Sequence, residues 1–398
     1  MPLAEALQLI LAAVIPCKAV TDVPLSEALG RVLAQTRRAD MDVPAYDNSA
    51  MDGYAVNTRD GKISGTRLPL SQTIAAGHPG QALAPGSVAR IFTGAPIPEG
   101  ADAVVMQENT RVEDGSIVID ELPHAGQNIR LKGHDIAKGT EVLQAGHRLQ
   151  AQDIGLLASL GIATIAVYKP LTVAILNTGD EVIAPGTPLR AGQLYDSNSY
   201  TLAALLSRLG MNVIKLGIVE DNLASTEAAL QKEAVQADCI ISKGGVSVGD
   251  EDHVKQALEN LGQLSLWKLA IKPGKPFSFG SVGKTPFFGL PGNPVAVFVT
   301  FVTLVRPFLL RMQGATDSGV PSFAVKAGFN ISEAGTRQEF LRVRLVGKGK
   351  EQVAEAFSDQ GSSILTSLSW ADGLAVVPVH TTIQAGESVE YLPFFGLL

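Results

Sequence analysis

A chain of 398 residues is too long for one hydrophobic core, and a prior of roughly 100 to 200 residues per domain predicts two to four domains. Its composition, 46% apolar and 18% charged with 40 glycines and 22 prolines, belongs to an ordered protein rich in turns and not to a helical bundle. The net charge of −7 excludes a general nucleic-acid surface, which needs clustered excess Lys and Arg, so any anion site must be local.

Residues 3–15 read as an amphipathic helix. The segment carries Glu5 and has no basic leading region, which separates it from a signal peptide. No other stretch approaches the roughly 20 apolar residues of a membrane helix, so no membrane contact is expected. Residues 25–35 read as a second helix, opened by Ser26 as N-cap with Leu29, Val32 and Leu33 on one face. From 41 to 139 short alternating runs such as SVARIFTG (87–94) and ADAVVMQENT (101–110), cut by Gly and Pro, predict a β-rich domain. A helix follows at AQDIGLLASLG (151–161), then Tyr168, Lys169 and Pro170 as a linker.

From Leu171 the period changes. Strand TVAILNT (172–178), helix SYTLAALLSRLG (199–210), strand NVIKLGIV (212–219), helix STEAALQKEAVQ (225–236), strand DCIIS (238–242), helix DHVKQALENLG (252–262) and a long helix over 294–312 describe an α/β domain with a largely parallel sheet. In such sheets ligands collect at the carboxyl ends of the strands, where NTGDE, VEDN and KGGVSVGDED all fall. The last part, 318–398, alternates again in FLRVRLVG (340–347), GLAVVPV (373–379) and SVEYLPF (388–394) and predicts a small β-barrel or sandwich. Cys17 and Cys239 are the only cysteines, without a CxxC pair, which predicts a reducing, cytoplasmic setting.

The chemistry concentrates in ISKGGVSVGDEDHVK (241–255), AIKPGKP (270–276) and GLPGNP (289–294). Gly244, Gly245 and Gly249 let backbone N–H groups turn toward an anion, and Ser247 adds a hydroxyl donor, which together make a phosphate cradle. Asp250 and Asp252 would repel phosphate unless a divalent cation bridges them, and a metal of the hard, oxygen-liganded kind is expected. Glu181, Asp221 and Asp252 stand at three strand ends and are the candidate ligands of Mg²⁺; each has a plainer role as a helix cap, and Asp250 is the weaker candidate. Lys272 and Lys275, framed by Pro273, Gly274 and Pro276, form a restrained cationic turn suited to an oxyanion. Asp47, Asn48, Ser49 and Asp52 cluster in one polar turn, with Thr93 and Gly94 before a second; alone these would be ordinary Asx turns. No histidine has zinc-ligand spacing, and neither GxxxxGK[ST] nor a GxGxxG opening a βαβ unit occurs.

In order, DNSAMDGYA (47–55), FTGAPIPEGAD (92–102), NTGDEV (177–182), GGVSVG (244–249), IKPGKP (271–276) and GLPGNPV (289–295) closely resemble the molybdopterin molybdenumtransferase family, which includes the E domain of gephyrin. The resemblance runs from about residue 3 to the C-terminus. It implies a multidomain α/β plus β protein: an elongated N-terminal domain from 1–40 and 140–168, a β-rich domain inserted at 41–139, a central α/β domain of the molybdopterin-binding type with a mostly parallel sheet at 170–316, and a C-terminal small β-barrel at 318–398. The implied reaction inserts molybdate into adenylylated molybdopterin with release of AMP and needs Mg²⁺.

The resemblance also implies roles for single residues. Asp252, Glu181, Asp221 and Asp52 would be catalytic, the first three through the metal. Lys272, Lys275, Pro276, Arg342 and Ser362 would bind molybdate. Asp52, Thr93, Arg130 and Asp135 of QNIRLKGHDI (127–136), Thr178, Gly179, Gly244, Gly245, Ser247, Gly249, Pro291 and Asn293 would bind the pterin substrate. A homodimer is implied, its active site built across the interface, and other molybdenum cofactor pathway enzymes are possible partners. The chain departs from the family where Lys243 replaces a usual Ser or Thr, His134 a Glu, and Ala296 a Ser. Two rival readings are the adenylyltransferase that makes the adenylylated pterin, which has no use for the sequence outside the α/β domain, and a gephyrin-like scaffold, which has no use for the carboxylates and lysines.

Overall fold

Four apolar runs become parallel neighbours in a six-stranded sheet. Its strands are β1 (Thr172–Thr178), β2 (Asn212–Val219), β3 (Cys239–Lys243), β4 (Gly262–Lys268), β5 (Pro276–Val282) and β6 (Thr285–Leu290), in spatial order β2-β1-β3-β6-β5-β4. The pairs β1/β2, β1/β3 and β3/β6 are parallel, while β6/β5 and β5/β4 are antiparallel. Helices α1 (Asn198–Arg208), α2 (Leu223–Gln236) and α3 (His253–Leu261) connect the strands. The structure is a computed structural model and describes residues 1–61, 63–178, 181–220, 222–243 and 253–397.

Successive side chains of β1 enter different cores, as the two-residue period of a strand requires. Val173 and Ile175 join Leu202, Leu206, Phe277 and Phe288, whereas Ala174 and Leu176 join Leu230, Ile240, Val254 and Phe287. Burial on both faces explains why these strands read as continuous apolar runs instead of alternating ones. Cys239 is fully buried among them and its thiol is pushed up by that burial, so it packs as a small hydrophobe.

The helical run Pro294–Met312 corrects the expectation that no second stretch approaches membrane-spanning length: by length and composition it qualifies, yet 94% of it is buried inside the protein. It is apolar all round because it is covered all round. One side meets the N-terminal helix Leu3–Ala12, with Ala6 and Ile10 wholly buried, and another meets α1. The middle of the run, Phe301–Val305, is π-helical.

The expected helix over residues 25–35 does not form. Only Leu25–Glu27 makes a 3₁₀ turn, Gly30 takes φ +75°, and Val32 and Leu33 bridge to Arg148 and Val167. Pairing with distant backbone outweighs the local helical pattern, and a left-handed glycine interrupts it.

At the C-terminal end, β7 (Phe323–Ala327), β8 (Gln338–Val346), β9 (Val353–Ala356), β10 (Gly373–Val377) and β11 (Ser388–Pro393) run in the order β8-β9-β7-β11-β10, and β10 pairs back onto β8. This closes the expected small barrel around Leu341, Val343, Ala354, Ala375 and Tyr391. The sheet and the barrel belong to one compact unit, formed by residues 1–34, 145–150 and 165–398.

Residues 35–144 and 151–164 form a second unit. Its largest sheet runs Ala103–Met106, Gly53–Val56, Val88–Ile91, Arg67–Ile74, Ser116–Ile119, Thr110–Glu113, as the alternating runs predict. Gly53 is required there, since a Cβ would stand 2.0 Å from the Val105 carbonyl oxygen.

Candidate functional site

The lysine turn is built by backbone contacts. Leu269 N–H donates to Lys275 O (2.8 Å), and the short strand Ile271–Lys272 lies parallel to β8 with Lys272 opposite Glu339. Between the two lysines Gly274 takes φ +117°, and a Cβ there would come within 2.8 Å of Thr300 Cγ2. Lys272 Nζ lies 3.2 Å from each carboxylate oxygen of Glu339. The Lys275 ammonium is exposed and has no partner among the described residues, and exposed Pro276 begins β5. Lys275 is therefore the more available cation of the two.

A second loop approaches from the barrel. Asn293 Nδ2 donates to Ser362 Oγ at 3.0 Å, and Val295 N–H donates to Ser362 O at 3.1 Å. The second bond satisfies a donor in the first turn of a helix, where no intrahelical acceptor exists. Arg342, expected at the oxyanion, stands behind this loop. It is 1% exposed, and its guanidinium donates to Ser367 Oγ (2.9 Å), Gly361 O (3.0 Å) and Phe340 O (3.3 Å). Burial pushes its pKa down to about 10, opposed by Asp359, so it stays a cation at neutral pH. Beyond the loop, helix Leu365–Trp370 ends on Trp370, whose ring lies 4.7 Å below the Arg344 guanidinium and 5.2 Å from Phe357.

At the strand ends the structure adds residues that sequence reasoning gave no role in the site. Asn177 and Lys243 are register partners on β1 and β3. Asp196 Oδ2 accepts from Asn177 Nδ2 (2.9 Å), while its Oδ1 accepts from Ser199 N–H (3.0 Å) and is ion-paired with the Lys243 ammonium. Burial opposes ionisation of Asp196, yet Lys243 and Ser199 outweigh it and hold the carboxyl below the ordinary Asp range. Lys243 thus points inward as half of a buried ion pair. The signal was present in YDSNSY (195–200), where an Asp stands three residues before Ser199 at a helix start. One residue away, Asn198 Nδ2 donates to Gly292 O at 2.6 Å.

Glu181 is exposed, its carboxylate makes no hydrogen bond among the described residues, and it lies near enough to Lys243 to interact electrostatically. Pro291 is buried, and Thr178 closes β1 opposite Val219. Asn222 caps α2 through Ser225 N–H (2.8 Å), the role considered for Asp221. Gly179, Asp221, Gly244, Gly245, Ser247, Gly249, Asp250, Asp252 and the Thr178 side chain lie outside the described residues.

In the second unit the structure joins two expected substrate residues. Asp52 Oδ1 accepts both Thr93 N–H (2.8 Å) and Thr93 Oγ1–H (2.9 Å), and these bonds, backbone first, with Arg90 nearby, hold its carboxyl below the ordinary range. The Arg90 guanidinium lies over the rings of Tyr54 (5.1 Å) and Phe92 (5.0 Å). Arg130 is exposed opposite Asn48, and exposed Asp135 donates its N–H to Val43 O (3.0 Å). Ser49 Oγ donates to Met51 O (2.6 Å), and Asp47 caps Lys132 N–H (2.7 Å), so part of the polar turn bonds to itself or its neighbours.

Three family descriptions match in chain order: "MoeA N-terminal region (domain I and II)" over residues 1–161, "Probable molybdopterin binding domain" over 174–311 and "MoeA C-terminal region (domain IV)" over 324–394. A Haemophilus influenzae molybdopterin molybdenumtransferase is 43% identical over 379 residues, covering 94% of both chains. The chain belongs to the molybdopterin molybdenumtransferase family. A Nostoc molybdopterin molybdenumtransferase is 38% identical, covering 93% of this chain and 88% of the relative. The crystal structure of the molybdopterin biosynthesis moeA protein of Pyrococcus horikoshii superposes with a TM-score of 0.85 at 29% identity, over 99% of this chain and 100% of that one. That superposition spans the mixed α/β sheet and the closed C-terminal barrel described above.

Proposed function

We infer that this chain is a molybdopterin molybdenumtransferase that inserts molybdate into adenylylated molybdopterin and releases AMP. Two observations support this reading, both within the unit that holds the α/β sheet and the barrel: the Lys272/Lys275 turn pairs with β8, and Asn293 bonds Ser362. A tetrahedral dianion needs fixed cationic and hydroxyl donors, and a backbone held by Gly274, Glu339 and Arg342 fixes them before the ligand arrives. In the proposed reaction Lys275 and Lys272 neutralise molybdate, Ser362 orients it, and the strand-end loops hold the adenylylated pterin whose phosphate bond is broken. Asp52, kept ionised by Thr93, is proposed to act on the same substrate.

For Mg²⁺ the donor chemistry fits, because the exposed Glu181 carboxylate is a hard oxygen ligand with no competing hydrogen bond among the described residues. Glu181, Asp221 and Asp252 would hold the ion, which supplies charge neutralisation at the phosphates. We propose a homodimer whose active site is shared between subunits, acting in the cytoplasm. The adenylyltransferase reading is disfavoured because matched sequence extends over 1–161 and 324–394 as well. The test is AMP release from adenylylated molybdopterin with purified protein and Mg²⁺; the reading requires that it depend on molybdate, and molybdate-independent or absent release would sink it.

A further inference from the structure

The cluster at the strand ends makes contacts beyond the groups that would touch substrate. Asn177, Asp196, Ser199 and Lys243 are exposed by 3%, 8%, 6% and 5%. One carboxylate, Asp196, joins the end of β1 through Asn177, the end of β3 through Lys243 and the start of α1 through Ser199. A buried ion pair with this many bonds is rarely the most stable filling, since apolar residues of equal volume often serve stability as well. What it adds is a fixed relation between the elements it joins.

That relation extends outward in steps already on the page. The start of α1 carries Asn198, which grips Gly292 O at 2.6 Å, and the next residue, Asn293, bonds Ser362 Oγ at 3.0 Å. We propose that the Lys243–Asp196 ion pair is a positioning element, which holds α1 so that the Gly292–Asn293 turn stays docked on the Ser362 loop. Its bearing on molybdate rests on the function proposed above, but the docking itself does not.

The test uses Lys243→Met combined with Asp196→Asn in the full-length protein, so that neither charge is left buried alone. The Val295 amide is the reporter, because its acceptor is Ser362 O at 3.1 Å. Loss of the tether should raise Val295 hydrogen exchange by about tenfold while the Ala174 and Ile175 amides of β1 keep their rates. In the same variant the KM for molybdate should rise more than kcat falls. Asn198→Ala, which leaves the ion pair intact, should accelerate Val295 exchange in the same way and carries the test if the double variant does not fold. Wild-type exchange at Val295 in the folded double variant, or in Asn198→Ala, overturns the proposal. Failure of the wild-type protein to release AMP would instead strike the reaction assignment and leave the exchange result to stand on its own.

Discussion

Lys272 and Glu339 face each other on parallel strands with Nζ 3.2 Å from both carboxylate oxygens, so the cation proposed for molybdate is already half neutralised. The pair is partly exposed, with side chains 48% and 20% accessible, and such pairs contribute about 0 to 1 kcal/mol. An incoming oxyanion can therefore displace Glu339, at a small cost. Glu339→Gln removes that cost and should lower the KM for molybdate by about two- to fivefold. An unchanged KM, measured by AMP release, would mean that Lys272 does not meet the anion.

Among the described residues Lys275 has no competing carboxylate. Lys275→Ala should raise the molybdate requirement about tenfold or more, the equivalent of about 1.5 to 3 kcal/mol for one charge-assisted donor. Calorimetric binding of the adenylylated pterin should stay nearly unchanged. Equal loss of both ligands would place the two subsites wrongly.

Arg342 behaves differently because it is buried behind the Ser362 loop. Arg342→Ala leaves the carbonyls of Phe340 and Gly361 without their donor, and should destabilise the protein by about 3 kcal/mol, read as a lower midpoint in urea. Arg342→Lys keeps the charge but not the planar fork, and should recover little of that stability. If Arg342→Ala melts like wild type and only loses molybdate affinity, the side chain acts on the anion and not on the loop.

Asp52 provides the pH dependence. Its carboxyl is held down by two bonds from Thr93, so this contribution is present above the unfolded Asp pKa and is lost as pH falls through the lower folded value. Thr93→Val removes the hydroxyl bond and should move the Asp52 titration up toward the ordinary range, as followed by carboxyl NMR. No upward movement would show that the backbone N–H alone sets it.

The proposed dimer with shared sites predicts complementation. Mixing inactive Asp52→Ala and Asp252→Ala proteins under subunit exchange should place half of the dimers in a form with one intact site, returning about a quarter of wild-type activity. Heterodimers verified by mass that stay inactive would refute the shared site and leave the reaction assignment untouched.

The sequence made the α/β order, the small barrel and the inserted β-rich unit legible, because buried parallel strands and half-exposed strands leave different apolar periods. Asp52 bonds Thr93 and Asn293 bonds Ser362, contacts that join residues the sequence named separately. Residues 25–35 misled because Val32 and Leu33 sit at helical spacing but pair with backbone far along the chain. The inward turn of Lys243 was equally hidden, since a lysine beside a glycine loop reads as a surface charge until Asp196 is placed next to it. Arg342 shows the same limit from the other side: two strand positions before exposed Arg344, its burial depends on a loop 17 to 19 residues away.

The chain contains only two tryptophans, and the fold gives them separate neighbourhoods. Trp267 on β4 stacks 6.0 Å from Phe277 at the edge of the α/β core, while Trp370 closes the helix that follows the Ser362 loop, beneath Arg344. The protein therefore carries its own pair of optical probes. Trp267→Phe leaves a single fluorophore, Trp370, on the helix that follows the Ser362 loop. In that variant a change in Trp370 emission on adding molybdate would report the proposed capture in real time without a label.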